Sequence, residues 1–189
     1  MKKALLFFLI ISSQLFLSQS DCPTAITVCG NSGVSYTPSG PGNILEDLSN
    51  PGCLAQDENF SVWYTFTVAT SGTLAFNIDA NVNTDDYDFA VYGPNKQCSN
   101  LGAPIRCNFA GFSPTGNTGL TLTPPPSVYF NPHLDVIAGE TYYLIVDNYS
   151  ESANGFALTW SGTATLASPF NDPGLITNPF IAPGTPNAN

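Results

Sequence analysis

Positive charge is almost absent from this chain. It has 4 Lys and Arg against 14 Asp and Glu, for a formal net charge of −10. A surface so poor in cations repels phosphate backbones and anionic headgroups, which excludes nucleic acid and acidic membranes as partners. The single histidine, His133, stands in the irregular stretch Asn131-Pro132-His133, and neither Gly-x-Ser-x-Gly nor His-Glu-x-x-His occurs, so the common hydrolase signatures are missing. No Cys-x-x-Cys pair is present for a zinc site. Long apolar runs are also lacking. The one apolar stretch, Ala4 to Phe16, is broken by Ser12, Ser13 and Gln14 and is shorter than the roughly 20 residues of a membrane-spanning helix.

That stretch follows Lys2 and Lys3 and leads to Ser18-Gln19-Ser20, the layout of a secretory signal peptide with a cut expected after Ser20. Cys22 follows Gln19-Ser20-Asp21 instead of the small residue that precedes a lipid-modified cysteine. Removing residues 1–20 leaves 189 − 20 = 169 residues, enough for one domain with a core, and 2 − 14 = −12 formal charges, since only Lys96 and Arg106 remain basic. All five cysteines lie in the exported part, where they read as disulfides with one left over. Cys98 and Cys107 enclose a short polar loop and form the expected first pair, worth roughly 2–3 kcal/mol by the chain-entropy argument. Cys29 with Cys53 is the expected second pair, leaving Cys22; Cys22 with Cys29 remains the alternative.

Glycine and proline, 16 of each, punctuate the sequence between short bursts of apolar alternation. This pattern predicts many strands joined by turns. The expected strands are 25–28, 34–37, 61–69, 73–78, 87–92, 119–123, 141–147 and 155–163. In the third, Val62, Tyr64, Phe66 and Val68 fall on one face and Trp63, Thr65 and Thr67 on the other, and Thr70-Ser71-Gly72 has hairpin chemistry. Only Ile44 to Leu48 suggests a helical turn. The expectation is an all-β fold, an antiparallel jelly-roll-type β-sandwich of about eight strands, over 21–165. From 166 to 189 the alternation stops and Pro, Gly and Asn predict a linker or tail.

The sharpest cluster is Asp85-Asp86-Tyr87-Asp88 at the entry to an apolar strand, with Asp147-Asn148-Tyr149-Ser150 following another. If those strands are neighbours, the clusters meet at one end of the sandwich. With so few basic residues, a hard cation with oxygen ligands, Ca²⁺, is the expected neutraliser; solvated turn carboxylates are the alternative. A glycosidase pair could be drawn from Glu58, Asp86, Asp88 and Asp147. Tyr92, Tyr129 and Tyr149, near strand ends, are the expected exposed contacts for a ligand, whereas Trp63 and Trp160 lie within strands and read as core.

Ser61-Val62-Trp63-Tyr64-Thr65-Phe66, Tyr87-Asp88-Phe89-Ala90-Val91-Tyr92 with Cys98 and Arg106-Cys107-Asn108, and Tyr142 to Asn148 leading to Gly155-Phe156 resemble the CUB-like or pre-peptidase C-terminal-like β-sandwich. In particular they are similar to the amino-terminal domain of large surface proteins of gliding, type IX-secreting bacteria, over about 21–165. The resemblance implies a non-catalytic module of a secreted or cell-surface protein that binds a glycan or a surface protein. It further implies calcium ligands at Asp79 and Asp88, with Asn148 and Ser150 on the Asp-x-Ser positions and Asp147 one residue early. Asn at the first of those positions removes a charge the family set has. An accessory domain of a secreted peptidase and a small glycan-acting hydrolase are the other functional classes.

Overall fold

In the computed structural model, which describes residues 19–44, 52–54, 58–111, 113–123 and 127–168, the expected alternation of the third strand becomes the spine of one sheet. Val62, Tyr64, Phe66 and Val68 of β3 (Phe60–Thr70) turn inward to the main core. The other strands, in chain order, are β1 (Ile26–Thr27), β2 (Val34–Tyr36), β4 (Gly72–Ala80), β5 (Tyr87–Tyr92), β6 (Arg106–Asn108) and β7 (Asn117–Thr121). After them come β8 (Phe130–Pro132), β9 (Leu134–Val136), β10 (Thr141–Asn148), β11 (Phe156–Gly162) and β12 (Thr165–Leu166). One sheet runs β1-β3-β10-β5-β6 with β12 also on β3; the other runs β2-β11-β4-β7-β8 with β9 also on β4.

The two sheets pack face to face. Phe76 of β4 meets Phe89 of β5 with ring centroids 5.2 Å apart, Phe66 of β3 meets Trp160 of β11 at 5.0 Å, and Tyr87 meets Phe156 at 5.1 Å. The first two add to area burial because the edge of one ring faces the π cloud of the other, while Tyr87 and Phe156 are tilted. The all-β sandwich expected from sequence is therefore the fold, with corrections in detail. The sheets are mixed, because β1 runs parallel to β3 and β7 parallel to β8. Four short strands, β6, β8, β9 and β12, join the expected eight. Thr70-Ser71-Gly72 is not a hairpin, since β3 and β4 belong to different sheets and the chain turns a corner between them. Glycine is required at that corner: a Cβ on Gly72 would stand 2.5 Å from Thr163 Oγ1.

A second, smaller core covers the outer face of the first sheet. Trp63, Ala90, Tyr92 and Ile145 point outward from β3, β5 and β10 and are buried under Cys22, Leu54 and Leu101 from the loops. Two disulfides fasten that cover, Cys22–Cys98 and Cys53–Cys107, and Cys29 is free and exposed. The expected Cys98–Cys107 and Cys29–Cys53 pairs are thus wrong, as is the alternative Cys22–Cys29. The bridges tie distant loops to one another across the sheet instead of closing the nearest loop. The helical turn expected from Ile44 to Leu48 lies, beyond Ile44, outside the described residues. The same holds for the leader before Gln19 and for the tail after Ser168.

Candidate functional site

The strand register creates the site. β5 and β10 are antiparallel neighbours, and Asp88 stands directly opposite Asp147, with Ser61 of β3 on the far side of Asp147. Tyr87 and Phe89 of β5 and Val146 of β10 face the main core, so alternation sends both aspartates to the outer face. Like charges directly opposite on one face repel. Tyr149 N donates to Asp86 O at 3.0 Å, and Asp86 N donates to Ser150 Oγ at 2.8 Å, which brings the loop before β5 against the turn after β10. Asp86, Asp88 and Asp147 together line an open cavity of about 560 Å³, walled by Cys53, Leu54, Phe109 and Tyr149.

Each carboxylate is held differently. Asn59 donates to both oxygens of Asp147, through its backbone N and its Nδ2, at 2.8 Å each, which fixes that side chain. Asp88 is only 8% exposed, and its Oδ1 is buried without a hydrogen-bond partner. Burial, then the charges of Asp86 and Asp147, push its carboxyl up from the ordinary 3.8 to about 8. An acceptor oxygen in this state is costly unless a donor or a cation arrives to meet it.

The other residues singled out from sequence are placed elsewhere. Asp79 is exposed and sits between the inward-facing Ile78 and Ala80 of β4, so it points away from the first sheet altogether. Asn148 is fully buried: its Nδ2 reaches Tyr87 OH at 3.2 Å and Ser152 O at 2.9 Å, and its Oδ1 accepts from Ser150 N at 3.1 Å. Asn148 and Ser150 therefore shape the turn, and the ligand set implied by the resemblance does not come together. Among the described residues no three His, Cys, Asp or Glu side chains close around one point as a finished metal centre. Asp85, 7% exposed, is tied to Ser152 Oγ at 2.5 Å and Asn154 Nδ2 at 3.0 Å. Glu58 accepts from Trp63 Nε1 at 2.9 Å and serves the outer core.

Of the expected aromatic contacts, only Tyr149 lines the cavity, and it is 66% exposed. Tyr92 is fully buried, stacked 5.9 Å from Trp63 beneath the disulfide cover, so the expected ligand contact there is withdrawn. Tyr129 is half-buried and lies outside the cavity lining. Trp63 and Trp160 pack in the two cores, as their strand positions indicate. His133 Nε2 lies 3.7 Å from the exposed Asp135 Oδ1, and His133 is not among the residues lining the cavity. Nothing in the sequence marks Phe109, 66% exposed, or Asn59 as part of a cavity. The Asn59-Asp147 pair spans 88 residues and follows from the β3–β10 register, a signal no local pattern carries.

The molecule is thus a disulfide-stapled β-sandwich with an acidic, aromatic-walled cavity at one end of its covered sheet. No protein-family profile matches the chain, and no curated protein does. Solved structures similar to it include the pre-peptidase C-terminal domain of the collagenase from Bacillus anthracis, at 12% identity over 72% of this chain and 94% of that one, with a TM-score of 0.43. PliG, a periplasmic inhibitor of g-type lysozyme from Aeromonas hydrophila, is 14% identical over 74% and 96%, with a TM-score of 0.38. The K3 adhesin domain of Lys-gingipain from Porphyromonas gingivalis is 14% identical over 59% and 65%, with a TM-score of 0.28. A pre-peptidase C-terminal domain and an adhesin domain, the kinds of module the strand motifs resemble, are among them. At these TM-scores the likenesses carry no functional argument, and the sandwich stands on this chain's own strand pairing.

Proposed function

We propose that the chain is a non-catalytic ligand-binding module of a secreted or cell-surface protein, and that its ligand, a glycan or a surface protein, enters the cavity between Asp88 and Tyr149. The observation that carries this reading is the buried, unpartnered Asp88 Oδ1 facing a cavity with two exposed aromatic walls, Phe109 and Tyr149. A structure that needed only stability would place an apolar residue there; an aspartate opposite an aspartate costs stability and suits a partner that supplies a donor or a charge. Calcium belongs to this proposal through Asp86, Asp88 and Asp147 alone, as an ion that relieves their repulsion and orders the turn at Ser150.

The test is a glycan and surface-protein binding screen with and without chelator, run beside thermal melts in millimolar Ca²⁺, the affinity range of extracellular calcium modules. A rise in melting temperature that disappears in the double variant Asp86→Ala, Asp88→Ala supports the ion. An unchanged transition removes calcium from the proposal, and binding that ignores Phe109→Ala and Tyr149→Ala removes the cavity.

One observation favours a second reading, hydrolysis of a glycan. A carboxyl that keeps its proton to about 8 beside two further carboxylates has the protonation state of a general acid. Turnover on a polysaccharide panel, abolished by Asp88→Asn, would establish that reading in place of simple binding.

A further inference from the structure

The residues expected to leave with the signal peptide are built into the domain. Gln19 O accepts from Trp63 N at 2.8 Å, and Gln19 Oε1 accepts from Tyr36 OH at 3.1 Å. Ser20 is 2% exposed; its carbonyl accepts from Ser61 Oγ at 3.3 Å, and its own Oγ donates to Gly40 O at 3.0 Å. Asp21 is 4% exposed, and its Oδ1 accepts from the backbone N of Asn43 and of Ile44 at 2.8 Å each. These contacts bring together both sheets and the loop after β2.

A cut after Ser20 would undo this arrangement. It would take away the acceptor of Trp63 N, on a residue with no exposed surface, and the acceptor of Ser61 Oγ, on another such residue. A buried donor stripped of its acceptor keeps the full desolvation cost and gains nothing in return. The cut would also place a charged ammonium group on Asp21, which the fold buries. A cut one dipeptide earlier keeps every one of these bonds and leaves a small residue, Ser18, just before it.

We propose that the processing site is the Ser18–Gln19 peptide bond, hydrolysed by the exporting cell's signal peptidase, so that the mature chain begins with Gln19 and its first two residues complete the edge of the first sheet. Water adds across that amide, giving the Ser18 carboxylate on the leader and the Gln19 amine on the domain. Phe16 stands three residues before this bond, where a small residue is favoured, whereas Ser18 holds that place for the later cut. Local peptidase preference and the fold therefore point to different bonds, and the proposal follows the fold because only the earlier cut leaves these hydrogen bonds intact.

The whole chain, exported with its own leader, is examined by intact mass spectrometry. The expected mass is that of a chain starting at Gln19, with or without the loss of ammonia that an N-terminal glutamine undergoes. A chain starting at Asp21 overturns the proposal. Ser20→Leu blocks a cut after position 20 without touching the position before Gln19, so unchanged processing is expected, and retention of the leader counts against the proposal. The physical premise has its own readout: mature chains starting at Gln19 and at Asp21 are compared by amide hydrogen exchange. The Trp63 amide is expected to exchange at least about tenfold faster in the shorter chain. Equal protection in the two chains removes the structural reason for the earlier cut.

Discussion

The two outward faces of the sandwich are built on opposite plans. That of the first sheet is roofed by a second small core under the two disulfides, so every residue of β5 is buried and so are the last five of β10. Among the described residues, that of the second sheet carries no such roof: β11 runs from buried Phe156 to exposed residues at its end, and Asp79 stands in the open on β4. A strand covered on both faces reads as a continuous apolar run, whereas a strand wet on one face alternates. Tyr87-Asp88-Phe89-Ala90-Val91-Tyr92 is such a run with a single interruption, and the interruption is the cavity aspartate. The candidate site therefore occupies a margin where the roof stops and the doubly covered sheet meets solvent with negative charge.

The heaviest blow to this contrast is to remove the roof's fastenings. The bridges span 76 and 54 residues, and the chain-entropy argument assigns each about 4 kcal/mol. Replacing all four cysteines by alanine should therefore consume much of a stability that is typically about 5–15 kcal/mol. Denaturant midpoints measure the loss, and hydrogen exchange should place it first at the outer residues Trp63, Tyr92 and Ile145. Phe76→Ala in the central core, at about 3–5 kcal/mol, should instead lower protection in both sheets together. If the four-alanine protein kept the parent's midpoint, the roof would be a passive cover.

A middle-sized effect belongs to the margin. The folded Asp88 carboxyl keeps its proton up to about 8, whereas an unfolded one releases it near the ordinary 3.8. Between those values the folded state binds more protons than the unfolded state, so this contribution is complete below the lower value and is lost as pH rises through the upper one. Asp88→Asn lacks the titration. Its melting temperature should lie above the parent's, by more at pH 9 than at pH 6, in differential scanning calorimetry without ligand or calcium. A gap that stayed constant across that range would show that Asp88 is not held protonated.

How much of this was legible beforehand follows from the same two plans. The alternation of Val62, Tyr64, Phe66 and Val68 announced a strand with an inward face, and the bounds of β5 were evident from its apolar run. Strands such as β6, β9 and β12, of two or three residues, are too short for any period to show. The roof was not legible at all, because it consists of loop residues from 22, 54 and 101 that meet only after the sheet has formed. That is why nearness in sequence points to Cys98–Cys107, and why Tyr92, at a strand end, reads as exposed. The meeting of the two acidic clusters was conditional on β5 and β10 being neighbours, and their register supplies what the sequence left open.

The smallest effect is expected on the bare face, and it separates position from charge. Asp79 shares with Asp88 a place in a central strand and a negative charge, and the resemblance assigned both to one ion. Its side chain projects from the opposite side of the molecule, between inward-facing Ile78 and Ala80, into solvent. Solvent there screens its field and removes any desolvation cost, so Asp79→Asn should change stability by no more than about 0.5 kcal/mol. It should also leave any shift in melting temperature with Ca²⁺ unaltered, while Asp88→Asn, an equal change of charge, diminishes that shift. Parallel melts of the two variants with and without Ca²⁺ decide the matter. A calcium response lost with Asp79 would mean that the ion sits on the uncovered sheet, and the covered margin would have to be explained without it.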